Sequence, residues 1–125
     1  MKKLLILASL LLPFNTVMAY EYQYGKWVAL TGKLQTMHDV GPAIVLDKAI
    51  TVVPSTGDDD GISSPENDVG VIQLVLSEPD LMQQYRLLKG KKTRVECDEL
   101  YHAITAHHKT PVLCAVSRFT QPNKL

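Results

Sequence analysis

Three of the four histidines fall close together, His102, His107 and His108, within the stretch Leu100-Tyr101-His102-Ala103-Ile104-Thr105-Ala106-His107-His108-Lys109-Thr110-Pro111-Val112-Leu113. Imidazoles gathered this way can ligate zinc or copper, or can gain charge together in mildly acidic surroundings. The metal reading lacks support from spacing. Adjacent His107 and His108 cannot both face one side of a strand, no third ligand follows at helical spacing, and neither an H-E-x-x-H nor a paired C-x-x-C sequence occurs. No metal ligand set is assigned, and a metal-binding histidine loop is kept as a minor alternative. The residues expected to form a recognition or pH-sensitive surface are His102, Thr105, His107, His108 and Thr110. The plainer alternative is an irregular loop in which imidazole N–H groups satisfy nearby carbonyls.

Other chemistry is thinner. Gly57-Asp58-Asp59-Asp60-Gly61 superficially suggests a calcium loop, but aligning Gly61 with the required glycine puts Thr56 at the first ligand position and Asn67 where a bidentate Glu belongs. The segment is therefore expected to be a solvated acidic loop. No nucleophile elbow and no glycine-rich phosphate loop occur, so no catalytic residue and no cofactor are assigned. Tyr20, Tyr22, Tyr24 and Trp27 cluster upstream, where aromatic rings can stack on a sugar or cover the edge of a barrel; edge cover is the expected role. Thirteen basic side chains offset thirteen acidic ones, which leaves no basic field to neutralise phosphates, so nucleic acid is not an expected partner.

The elements that must position these residues begin after an export signal. Met1-Lys2-Lys3 is a positive start, residues 4–12 are almost unbroken apolar chain, and Val17-Met18-Ala19 suits a cleavage site. Residues 1–19 read as a signal peptide, too short and too interrupted by Pro13 and Asn15 for a membrane span, and no membrane anchor is expected after cleavage. The domain is then 20–125, in a periplasmic or secreted location. Export favours pairing of the two cysteines, Cys97 and Cys114. If 93–100 and 111–117 form a hairpin, Val95 opposes Val116 when Cys97 opposes Cys114, one register serving both pairs. A disulfide is expected; two buried free thiols are the alternative.

Alternating apolar residues predict strands over 26–35 and 69–76, and Ala43 opens a β-rich stretch to Val53 that is either one bent strand or two short ones. Gly32 inside the first strand permits a bend or close packing, and Gly41-Pro42 marks a turn. Residues 54–70 read as a long exposed loop. The one helix follows, with Ser77 as N-cap, Pro79 in its first turn, Leu81, Met82, Tyr85 and Leu88 as its apolar stripe, and Gly90 just past its end. Two strands close the chain. Three strands, a short helix and two strands is the order of an OB barrel, so the expected fold is all-β with one short helix, an OB-like five-stranded barrel.

The segment from Val95 to Val116, above all Leu100, His102-Ala103, Thr105, His107-His108 and Thr110-Pro111-Val112-Leu113, resembles a family of small secreted bacterial domains known as domain of unknown function family 4431, with Ala106 where glycine is expected. That resemblance implies a periplasmic or secreted domain and no particular activity. The expectation is thus an exported binding or accessory domain that recognises a protein or glycan rather than an enzyme. The alternative is the OB-fold binding subunit of a secreted toxin, and native mass separates a five-membered ring from a monomer or dimer.

Overall fold

The computed structural model describes residues 20–54, 64–105 and 107–122. The segments read as a signal peptide and as an acidic loop at 57–61 lie outside the described residues. Among the described residues, six strands and one helix follow in chain order: β1 (Tyr20–Gln23), β2 (Val28–Met37), β3 (Gly41–Val53), β4 (Glu66–Val75), α1 (Pro79–Leu88), β5 (Lys92–His102) and β6 (Val112–Thr120). Strands β2 to β6 close into a five-stranded barrel. β2 is antiparallel to β3 and to β5, β3 is antiparallel to β4, β5 is antiparallel to β6, and the parallel pair β4–β6 joins the ends. With the helix between the third and fourth barrel strands, this is OB-like topology.

Alternation explains the interior. Val28, Leu30 and Leu34 of β2, Ile44 and Val52 of β3, Ile72 and Leu74 of β4, and Val95 of β5 all face inward and are buried. Gly32 takes the inward position between Leu30 and Leu34 because a Cβ there would overlap the Val45 carbonyl oxygen and the Leu46 Cα across the sheet. The expected close packing is therefore at β3. The stretch opened by Ala43 is part of one strand, bent between Val45 and Ile50 where pairing with β4 shifts register. Its turn lies one step earlier than Gly41-Pro42: Asp39 and Gly41 both adopt positive φ, 65° and 90°, and Pro42 already pairs with Thr36.

α1 closes one end of the barrel with buried Leu81 and Tyr85, whose hydroxyl lies 2.8 Å from Thr36 Oγ1. Its start differs from the expected Ser77 cap. Glu78 is the N-cap, in extended conformation and without a side-chain capping bond, and Pro79 is the first helical residue. Proline's missing N–H and fixed φ suit that position, and the proline rather than a serine hydroxyl sets the boundary. Gly90, at φ 88°, ends the helix as expected and donates its N–H to the Leu34 carbonyl at 2.6 Å, tying the helix exit to β2.

The Cys97–Cys114 disulfide is present, with Cα atoms 5.5 Å apart and both cysteines fully buried. Its register is not the expected one. Cys97 pairs with Val116, Val95 with Phe119, and Leu100 with Cys114. Extra residues, Ser117 on β6 and Asp98 on β5, bulge out of the ladder on either side of Cys97. The bulges let Cys97 and Leu100, three residues apart, both point inward, which strict period-2 alternation forbids.

Sequence reading missed β1, which pairs in parallel with β3 from Tyr20↔Ile50 to Gln23↔Val53. Of the upstream aromatics, Tyr24 turns into the core at 5% exposure, whereas Trp27 is 55% exposed.

Candidate functional site

The histidine stretch forms the end of the β5–β6 hairpin, and hydrogen bonds rather than regular pairing shape its tip. Ala103 N donates to Pro111 O at 3.0 Å, closing the base. Beyond it, Thr105 organises the turn: its carbonyl accepts from His108 N at 3.1 Å and its hydroxyl from His107 N at 3.3 Å. His108 folds back so that Nδ1 accepts from Ile104 N at 3.1 Å, while its ring meets Tyr101 edge-on at 5.8 Å between centroids. That bond requires Nδ1 to be unprotonated, so neutral His108 carries its proton on Nε2.

One residue outside the motif anchors this turn to the barrel. Gln73 on β4 donates its backbone N–H to Thr110 Oγ1 at 3.0 Å, accepts from Lys109 N through Oε1 at 2.7 Å, and donates through Nε2 to the His107 carbonyl at 3.4 Å. Thr110 is buried, and its hydroxyl donates in turn to Val112 O at 2.7 Å. Gln73 sits thirty-odd residues from these partners, so no local spacing pointed to it. The closed barrel brings them together, because β4 and β6 pair in parallel at Gln73↔Leu113.

His102 lies apart from the tip. Its Nε2 is 3.2 Å from Glu66 Oε2 at the start of β4, and its ring meets Tyr24 edge-on at 6.0 Å. Its Nδ1 is buried without a hydrogen-bond partner among the described residues. Tyr24 donates its hydroxyl to the Ser64 carbonyl at 3.0 Å. Burial first, and the Glu66 carboxylate second, push the Tyr24 phenol up to about 12, since both disfavour a phenolate. Tyr101 is raised as well, by burial and then by Glu99.

The five expected surface residues are therefore in one hairpin but do different things. Thr105, His108 and Thr110 hold the turn, His102 joins β5 to β4 through Glu66, and His107 is exposed. Among the described residues, no group of three or more His, Cys, Asp or Glu side chains comes together in a way that could hold a metal ion. No helix of the described residues is long and apolar enough to cross a membrane.

Fold and hairpin together define an OB-type barrel, disulfide-bonded, that displays a braced histidine loop between its last two strands. Residues 71–120, from β4 through the hairpin to the end of β6, match the family described as Domain of unknown function (DUF4431). No curated protein and no solved structure matches the chain.

Proposed function

We propose that the protein is an exported binding domain that recognises a protein or glycan partner with the β5–β6 hairpin. The observation that carries this reading is the Gln73 brace: three hydrogen bonds hold an irregular, solvent-facing loop against a rigid strand. A loop fixed in one shape loses less conformational entropy when it binds, and a site supported by the scaffold is presented more accurately than one on a free loop. By analogy of fold, the loop between the last two strands is also one from which OB barrels contact ligands. The buried disulfide supports an oxidising, periplasmic or secreted location. His107 and Lys109, whose side chains are exposed at the tip, are the groups we assign to the partner.

The test is isolation of the protein with its bound material from the exported fraction, comparing wild type with a His107→Gln/Lys109→Ala double variant. Both changes touch only solvent-facing side chains. The expected result is that specifically retained protein or glycan is lost from the variant while its melting temperature is unchanged. Equal retention by the two proteins removes the hairpin from recognition, and a cytosolic protein with an intact N-terminal segment removes export.

A further inference from the structure

We infer that the cleft between β1, β2 and β3 is a second binding site, for a single pyranose ring of a carbohydrate. The cleft exists because β3 changes partners along its length. It pairs with β2 only from Gly41 to Leu46, and with β1 only from Ile50 to Val53. Asp47, Lys48 and Ala49 pair with neither strand, and the first four residues of β2, Val28 to Thr31, are paired to β5 but not to β3. The gap has a volume of about 290 Å³. That lies just below the roughly 300–1,000 Å³ of small-molecule sites, room for one sugar ring and little more.

The lining suits a ring with one apolar face and a polar rim. Tyr20 and Tyr22, two apart on β1, share one side of the strand and form a wall; buried Leu30 and Ile50, with Leu46, form the floor. The negative face of a tyrosine ring favours the polarised C–H groups of a pyranose. Lys48 Nζ, 5.6 Å from the Tyr20 ring centroid, holds that ring in place by cation–π attraction. At the rim, Asp47 accepts and Lys48 donates, a complementary pair for adjacent hydroxyls. Asp47 is oriented by Lys92, 3.1 Å away on β5, and a carboxylate so paired keeps lone pairs free for a ligand. Thr31, which carries a hydroxyl, also lines the cleft. An extended peptide would instead require a long open strand edge, and β1 offers only four residues.

This site is independent of the hairpin reading. Its test is an amide chemical-shift titration of the purified protein with the methyl glycosides of glucose, galactose and N-acetylglucosamine and with glucuronic acid. At least one is expected to bind with a millimolar Kd, as befits a single ring, and to shift the amides of Ala29, Thr31, Asp47 and Lys48. Tyr20→Ala and Lys48→Met, both at exposed positions and thus expected to fold, should each weaken that binding about tenfold. The proposal is overturned if no sugar shifts those amides, if the variants bind as well as wild type, or if an extended peptide and no sugar occupies the cleft. Loss of this site with continued partner retention by the hairpin would leave the proposed function standing.

Discussion

Replacing Thr110 with Val tests whether the hairpin is braced as described. Valine keeps the shape, so no cavity forms, but it removes a hydroxyl that both donates to Val112 O at 2.7 Å and accepts from Gln73 N at 3.0 Å. Thr110 is only 8% exposed, so water does not readily replace it. Leaving a buried donor or acceptor unsatisfied costs about 1–3 kcal/mol each, so two such groups together bring the expected loss to about 2–6 kcal/mol. At about 4–8 °C per kcal/mol for a domain of roughly 100 residues, even the lower end of that range should lower the melting temperature by roughly 8–16 °C. Thermal and urea denaturation followed by circular dichroism measure it, with Thr110→Ser as the control that keeps the hydroxyl and most of the stability. A Thr110→Val protein within about 0.5 kcal/mol of wild type, the usual range for an inconsequential surface change, would refute the claim that this threonine pins the hairpin to β4.

Gly32→Ala should destabilise the fold by about 2 kcal/mol or more in the same assay, because the new methyl meets the backbone of Val45 and Leu46, which cannot rotate away. Leu81→Asp should abolish folding at ambient temperature by placing a charge beneath the barrel, and Tyr85→Phe should cost only about 1 kcal/mol through the lost contact with Thr36. Reduction of the Cys97–Cys114 bridge, which spans a sequence separation of 17, should lower stability by about 3 kcal/mol in the chain-entropy account, read from urea midpoints with and without reductant. Alkaline pH should also weaken the fold: the Tyr24 phenol titrates near 10 unfolded but at about 12 folded, so its contribution is fully present below pH 10 and is lost as pH rises toward about 12. Tyr24→Phe should flatten that part of the stability profile, and an unchanged slope would deny Tyr24 this role.

The barrel was legible because most of its information is local. Alternation marks β2, β3 and β4, Pro79 and Gly90 bracket α1, and the strand–helix order selects the OB arrangement. What stayed hidden depends on pairings between distant residues. The bulges at Asp98 and Ser117 leave no periodic trace, so the alternating pattern favoured a register in which Cys97 faces Cys114 directly. β1 is four residues long and finds its partner in the second half of β3, too short a run to read as a strand among loop-like neighbours. At the hairpin, residue types identified the histidines and threonines, whereas their division into turn-holding and outward-facing groups depends on Gln73 and Glu66 of β4. Such partners can be named only once the barrel has closed.

Recognition by the braced hairpin is tested most directly by amide hydrogen exchange of the purified protein with and without the material it retains from the exported fraction. The expected footprint is slowed exchange from Ile104 through Lys109, the tip that Gln73 supports, with the barrel strands unaltered. Slowed exchange that leaves 104–109 unchanged and falls elsewhere would contradict the assignment of recognition to this loop.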